Sequence, residues 1–206
     1  MLRRGTAGAM RRRRIGIYSG TFNPVHAGHV SFALQALNEA KLDRVYLMPE
    51  RHRANKKDVA HFAHRVAMIR QAIKPHPNLG LIEAADISFT VAKTLPKLRH
   101  QFRASRLVFL MGSDSLASLA NWPLAAQLLK HSELVIGVRE GDAQYLKGWI
   151  EALPIPPRRL HIIDSLKPGV SSTKIREALR RDSETDGMLT SVRRYSNRNW
   201  VYISLS

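Results

Sequence analysis

Cysteine, long apolar runs and aromatic residues are absent or scarce in this 206-residue sequence. The lack of cysteine excludes disulfides, thiolate metal sites and a cysteine nucleophile. No apolar run is long enough to span a bilayer, and no apolar segment follows the first arginines, so we expect a cytoplasmic protein that is neither inserted in a membrane nor exported. Aromatic residues make up only 7% of the chain, and no RNA-binding motif is present, which disfavours a nucleic-acid-binding protein.

Acidic residues are also scarce, since 16 Asp and Glu face 33 Lys and Arg and leave a net charge of +17. A surplus of this size ordinarily indicates nucleic acid or an anionic surface as a partner. Here Arg3, Arg4 and residues 11–14 supply six positive charges in a segment without an acid. We therefore predict a basic, disordered leader over residues 1–13, with Met10 as an alternative start. The remaining charge suits a pocket for polyphosphate, and a basic nucleic-acid-binding protein is the alternative of another class.

The hydrophobic pattern predicts an α/β fold. With 44% hydrophobic residues the chain can bury one sizeable core, but it is short for two domains. Apolar, β-branched runs alternate with helix-like segments, which indicates a Rossmann-like, doubly wound parallel sheet in a single domain over residues 14–206. The predicted strands are 14–18, 44–48, 79–83, 106–111, 133–138 and 159–163. The predicted helices are 27–41, 61–73, 91–102, 123–130, 143–152, 172–181 and a shorter one near 187–195.

An HxGH motif joins the first predicted strand to the first predicted helix. Its histidines, His26 and His29, fall at a helix amino-terminus, where free N–H groups and the positive end of the dipole attract phosphate. The three-residue spacing puts both rings on about the same side of the first turn, and Gly28 leaves room for a phosphate to approach the backbone. The alternative is a pair of surface or core histidines, which the setting after a strand disfavours.

A second polar motif lies near the other end of the chain. Residues 170–176, Val-Ser-Ser-Thr-Lys-Ile-Arg, open a predicted helix after a Pro-Gly turn. Ser171, Ser172 and Thr173 could simply cap this helix. The same hydroxyls and free N–H groups can instead hold phosphate oxygens, and Arg176 adds a fixed positive fork on the first helical turn.

Polar and aromatic residues also follow the fourth predicted strand. Gly112 ends that strand and Asp114 comes two residues later, where it is either a helix cap or a ligand-binding carboxylate. Trp122 follows, and it either belongs to the core or stacks on a flat heteroaromatic ring.

Together these motifs resemble the HxGH nucleotidyltransferase superfamily, and the middle of the chain resembles its nicotinate and nicotinamide mononucleotide adenylyltransferases. The usual Gly-Gly-Thr-Phe-Asp-Pro opening has Ser19 and Asn23 at its first and fifth places here. The resemblance implies that residues 19–22, which are Ser19, Gly20, Thr21 and Phe22, contact ATP together with Gly112 and Asp114, and that residues 171–173 cradle its β- and γ-phosphates. His26, His29 and Arg176 are the implied catalytic residues.

For the mononucleotide, the resemblance implies a phosphate contact from a loop lysine, either Lys56 or Lys57. Phe89 and Thr90 match a Ser-Tyr-Thr stretch beside the pyridine ring, with phenylalanine in place of the commoner tyrosine. Trp122 and Arg139 match residues near the mononucleotide, although an arginine just after a strand is also often merely exposed.

The resemblance implies an adenylyltransferase that moves AMP from ATP to nicotinate mononucleotide and releases pyrophosphate in NAD biosynthesis. Nicotinamide mononucleotide and phosphopantetheine are alternative acceptors. We expect Mg²⁺ to arrive with ATP, because the sequence has no clustered carboxylates for a dedicated metal site. We expect a monomer or a homo-oligomer.

Overall fold

The computed structural model describes residues 11–51, 58–164 and 169–202. Strands and helices alternate along these residues. The strands are β1 (Arg14–Gly20), β2 (Arg44–Pro49), β3 (Leu79–Leu81), β4 (Arg106–Gly112), β5 (Ser132–Val138) and β6 (Leu160–Asp164). The helices are α1 (Ala27–Glu39), α2 (Phe62–Ile73), α3 (Val91–Gln101), α4 (Ser113–Leu119), α5 (Ala125–His131), α6 (Leu146–Glu151), α7 (Ser172–Arg180) and α8 (Thr190–Arg198), and a short 3₁₀ helix spans Ala143–Tyr145.

The six strands form one parallel sheet in the order β3-β2-β1-β4-β5-β6. This order is that of a doubly wound sheet, so the predicted Rossmann-like fold is confirmed. The chain reverses direction across the sheet between β1 and β4, which pair directly, with Ile17 opposite Phe109. Ligands of such sheets bind at the carboxyl ends of the strands beside that reversal point.

Side chains alternate between two core layers, one on each face of the sheet. Ile15 and Ile17 of β1 pack with α3, α4 and α5 on one face, whereas Tyr18 packs on the other face with α1, α2 and α8. Phe109 and Val108 of β4 divide in the same way. The strands are thus covered on both faces, which explains why they are nearly continuous apolar runs in the sequence.

All six predicted strands are present, with ends that differ by up to two residues. The predicted segment 143–152 is a 3₁₀ turn followed by α6, and the last helix begins at Thr190 rather than Gly187. The sequence analysis missed α4, which begins at Ser113 directly after β4 with no intervening loop. Of the predicted leader, the structure describes Arg11 to Arg13, where Arg11 pairs with Asp43 and the Arg13 carbonyl accepts a hydrogen bond from the Arg106 N–H. None of the described helices is long and apolar enough to cross a membrane.

Candidate active site

The predicted site residues surround the carboxyl ends of β1 and β4. β1 ends at Gly20 and runs through a buried turn into α1, while β4 ends at Gly112 and passes straight into α4. His26 of the HxGH motif and Gly112 are 86 residues apart in the sequence. In the fold they lie at neighbouring strand ends, at the reversal point of the sheet.

His26 and His29 lie against each other at the start of α1. His26 is the N-cap residue, and the ring centroids of the two histidines are 3.6 Å apart in a stacked arrangement. The His26 backbone N–H donates to His29 Nδ1 over 3.2 Å. Because Nδ1 of His29 accepts this bond, its neutral ring carries the proton on Nε2. His29 is thus held in the tautomer that can donate a hydrogen bond from Nε2.

Both histidines are neutral in the ligand-free protein near pH 7. Burial and the charge of Arg139 lower the pKa of His26 to about 4. Burial, His26 and Arg139 together lower the pKa of His29 well below its ordinary value. His26 Nδ1 is buried and has no hydrogen-bond partner among the described residues. A Cβ on Gly28 would lie 3.1 Å from that nitrogen, so any larger residue at position 28 would crowd the His26 ring.

The turn between β1 and α1 is fixed by side chains from distant parts of the chain. The Asn23 amide donates to the Asp58 carbonyl (2.9 Å), and its oxygen accepts bonds from the Ala60 N–H (3.0 Å) and the Tyr202 hydroxyl (2.5 Å). Arg65, only 1% exposed, donates to the Thr21 carbonyl over 2.7 Å and to two further carbonyls. These bonds hold the β1–α1 turn in one conformation.

The structure brings the late serine motif against this same turn. Ser172 Oγ donates to the Pro24 carbonyl (3.0 Å), and Arg176 donates to the Asn23 carbonyl (2.8 Å). Arg176 Nε also lies 3.4 Å from the Asp58 carboxylate. Ser171 caps α7 by accepting from the Lys174 N–H, and Thr173 is exposed. The capping alternative thus applies to Ser171, while Ser172 and Arg176 hold the start of α7 against the turn between β1 and α1.

The remaining residues of the β1 turn line its inner side. Phe22 is 2% exposed and its ring meets His29 edge-on, with 5.0 Å between the centroids. Its φ of 48° lies in the left-handed region, which is uncommon for a residue other than glycine. Ser19 Oγ is buried and unpartnered among the described residues, and Thr21 is 8% exposed. Phe22 thus packs against the His29 ring and limits its movement.

Asp114 and Arg139 form an exposed ion pair (3.3 Å) beside the histidines. Arg139 follows β5, and its backbone N–H donates to Ser113 Oγ over 3.2 Å. A Cβ on Gly112 would lie 2.5 Å from Asp114 Oδ1, so the carboxylate folds back over the end of β4. Asp114 lies in the first turn of α4, of which Gly112 is the N-cap, so the helix-cap alternative for Asp114 is wrong.

Phe89 and Trp122 form an aromatic pair, with 6.2 Å between the ring centroids. Phe89 also contacts Phe109 of β4, and Trp122 Nε1 donates to Ser118 Oγ over 3.1 Å. Thr90 is exposed and caps α3 by accepting from the Lys93 N–H. The two rings are partly buried, so they form a wall that belongs to the core on one side and reaches the surface on the other.

The loop lysines Lys56 and Lys57 lie outside the described residues. Within residues 11–51, 58–164 and 169–202, no group of three or more His, Asp or Glu side chains is placed to hold a metal ion. Sequence reasoning missed the roles of Asp58 and Tyr202. Both act through contacts across long stretches of chain, for which the sequence gives no periodic signal.

The chain is similar in sequence to known proteins and similar in fold to solved structures. The model of the cytidylyltransferase-like family matches residues 17–178. A curated Clostridium perfringens protein named "Probable nicotinate-nucleotide adenylyltransferase" is 33% identical over 180 residues, 84% of this chain and 89% of that protein. A protein of the same name from Neisseria meningitidis serogroup C is 29% identical over 202 residues, 92% of this chain and 98% of that protein.

Among solved structures, the fold matches Plasmodium falciparum nicotinic acid mononucleotide adenylyltransferase complexed with NaAD. The TM-score is 0.78 at 18% identity, over 94% of this chain and 100% of that one. A Vibrio parahaemolyticus crystal structure described as "a Putative Nicotinate-nucleotide Adenylyltransferase" matches with a TM-score of 0.63 at 16% identity, over 92% of this chain and 95% of that one. From the family match over 17–178 and the curated relatives, the chain belongs to the cytidylyltransferase-like family and, within it, to the nicotinate/nicotinamide mononucleotide adenylyltransferases.

Proposed function

We propose that this protein transfers AMP from ATP to nicotinate mononucleotide, giving nicotinate adenine dinucleotide and pyrophosphate in NAD biosynthesis, in the cytoplasm. The observation that carries the proposal is the stacked pair His26 and His29 at the start of α1, held against the start of α7 at the reversal point of the sheet. Two helix amino-termini that meet at one point provide N–H donors for a polyphosphate. The curated relatives carry the name of the same activity.

The acceptor phosphate is already a competent nucleophile and can attack the α-phosphorus of ATP in line. The bond to the acceptor oxygen forms as the bond to the pyrophosphate oxygen breaks, so no proton transfer or covalent enzyme intermediate is required. Catalysis is then positioning and stabilisation of charge. The Nε2–H of His29 supplies one donor, and a negative phosphate raises the pKa values of both histidines toward the charged form.

The departing pyrophosphate is placed against α7 in this proposal. Ser172 Oγ donates to the Pro24 carbonyl, so the start of α7 and its free N–H groups lie against the same turn as the histidines. Arg176 holds the Asn23 carbonyl with one nitrogen and lies beside Asp58 with another, so its guanidinium is oriented in advance. A loop lysine, Lys56 or Lys57, would neutralise further charge.

The nucleoside groups would occupy the β4 side of the site. Asp114 can accept hydrogen bonds from ribose hydroxyls, and Phe89 with Trp122 offers a flat wall for the pyridine ring. Arg139 lies next to the Asp114 carboxylate, where it can meet a phosphate or the nicotinate carboxylate. Mg²⁺ is proposed to enter bound to the phosphates of ATP and to supply charge neutralisation there.

The test is a comparison of acceptors with the purified chain. Nicotinate mononucleotide, nicotinamide mononucleotide and phosphopantetheine are each incubated with MgATP, and dinucleotide and pyrophosphate are quantified. We expect equimolar products and the highest kcat/KM with nicotinate mononucleotide, with activity lost when a chelator removes Mg²⁺. A best rate with phosphopantetheine, or no transfer to any acceptor by folded protein, would overturn the proposal.

A further inference from the structure

A second concave region lies at the opposite edge of the sheet. It is a cleft of about 510 Å³ at the amino ends of β4 and β5, between the ends of α3 and α5. Because β4 has seven residues and runs from this cleft to the candidate active site, the two regions are ~20 Å apart. Five arginines line it: Arg12, Arg99, Arg103, Arg106 and Arg158. We call this region the arginine cleft.

The arginine cleft has an uncompensated positive charge. Among the described residues that line it, Glu133 is the sole carboxylate, and it is 6% exposed and paired with the buried Arg14. Arg106 lies 3.8 Å from the same carboxylate. The other four arginines have no carboxylate within ion-pair distance in the part of the chain that the structure describes. About four positive charges therefore face one concave space.

A helix dipole explains the position of only one of these five arginines. Arg99 lies in the last turn of α3, where a cation is favourable beside the free carbonyls. Arg12, Arg103, Arg106 and Arg158 lie outside the helices, three of them before the starts of β1, β4 and β6 and Arg106 at the first residue of β4. All five arginines are exposed, so solvent screens part of their mutual repulsion, and a bound anion would lower what remains.

The shape of the arginine cleft indicates a small ligand. Its volume lies within the range of small-molecule sites, and planar guanidinium groups grip phosphate oxygens in pairs. Phe102 lines the cleft and is partly buried, with its ring 5.4 Å from Tyr46, so one wall is aromatic and fixed. The field of the arginines is also felt by His131, since burial and the charges of Arg99, Lys130 and Arg158 lower its pKa.

We propose that the arginine cleft is a second binding site, for a small anion that carries two or more phosphate groups. Four guanidinium groups can each donate two hydrogen bonds, which matches the oxygens of a di- or triphosphate. The ligand is either an inorganic polyphosphate or a nucleoside polyphosphate whose base packs on Phe102. This binding is independent of the transfer reaction, because the cleft shares no residue with the candidate active site.

The test uses tripolyphosphate and ATP in calorimetric titrations of the full chain. We expect each probe to bind in two equivalents, one lost in His29→Ala and the other weakened at least tenfold in the double variant Arg103→Ser/Arg158→Ser. The matched control is Arg194→Ser/Arg198→Ser, which removes the same charge from exposed positions on α8 and should retain both equivalents. Both arginines of the cleft variant are exposed, so its thermal midpoint and kcat with MgATP should match the wild type.

Phe102→Leu separates the two ligand sources. Weaker ATP binding with unchanged tripolyphosphate binding would assign a nucleoside polyphosphate, and no change in either would assign an inorganic one. A single equivalent that the cleft variant leaves unchanged would overturn the proposal. The last arm of the test uses random 20-nucleotide RNA. The proposal would also be overturned if the protein bound this RNA with a steep salt dependence, lost that binding in Arg103→Ser/Arg158→Ser, and bound neither tripolyphosphate nor ATP in the cleft.

Discussion

The two edges of the sheet present positive charge in opposite ways. At the carboxyl edge, Arg139 and Arg176 each lie beside a carboxylate, and the two histidines are neutral. At the amino edge, the arginines of the arginine cleft are largely unpaired. Among the described residues, the candidate active site thus offers neutral histidines and paired arginines, whereas largely unpaired arginines line the arginine cleft. A high net charge therefore does not by itself locate the candidate active site of this protein.

The largest expected effect comes from removing a donor at the carboxyl edge. His26→Ala and His29→Ala should each lower kcat by about 10²–10³, because one charge-stabilising donor is lost from a preorganised site. The thermal midpoint should change less than kcat does, since either substitution keeps the hydrophobic residues of both core layers in place. Steady-state kinetics and thermal unfolding measure the two effects. The exposed His100 supplies the control variant His100→Ala, and full activity in either active-site variant would remove the central claim.

The elements of this edge differ in how far the sequence alone specifies them. Its strands are buried on both faces and so are apolar runs that periodicity detects, and the HxGH spacing marks the turn into α1. Helix α4 was missed because it is short and begins without a loop. The bonds from Arg65 to Thr21 and from Tyr202 to Asn23 join residues 44 and 179 positions apart, and no local pattern encodes such contacts.

The predicted roles of Ser172 and Arg176 show the same limit. Their residue types indicated phosphate binding, while the structure shows that both side chains also hold carbonyls of the β1 turn. A pattern of residue types predicts which chemistry is available, but only the assembled fold gives each donor its partner.

A smaller effect is expected on the aromatic wall of the carboxyl edge. Trp122→Ala should raise KM for the mononucleotide by about 5- to 150-fold and leave KM for ATP nearly unchanged, because loss of a stacking partner costs roughly 1–3 kcal/mol. Trp149→Ala on α6, another partly buried tryptophan that packs on the same core layer and is not a predicted site residue, is the matched control. A larger effect on ATP would assign the ring to the other nucleotide, and unfolding would assign it to the core.

The neutral histidines predict a modest loss of stability in mild acid. The pKa of His26 is lowered to about 4 in the folded protein, so below its ordinary value of 6.5 the unfolded chain binds more protons than the folded one. Stability is therefore full above pH 6.5 and declines as the pH falls toward 4. His26→Asn retains an N-cap side chain and should make the fall of the thermal midpoint across this window shallower, while the lowered pKa of His29 preserves part of the fall. His100→Asn is the control, and equal slopes in both variants would contradict neutral burial of His26.

The smallest effect is expected from the first nine residues. At the start of β1, Arg11 pairs with Asp43 and Arg14 pairs with Glu133. The Arg13 carbonyl accepts a hydrogen bond from the Arg106 N–H. A chain that begins at Met10 keeps these three contacts. It loses Arg3 and Arg4 but retains Arg12 of the arginine cleft. We expect its thermal midpoint and adenylyltransferase activity to equal those of the full chain, with slightly weaker retention on heparin. Arg103→Ser/Arg158→Ser in the full chain removes two charges as well and should weaken retention more, because those arginines act together across one concave space. A large loss of activity on truncation would instead mean that residues 1–9 contribute to the reaction site, and the separation between the charged and the catalytic edges would no longer hold.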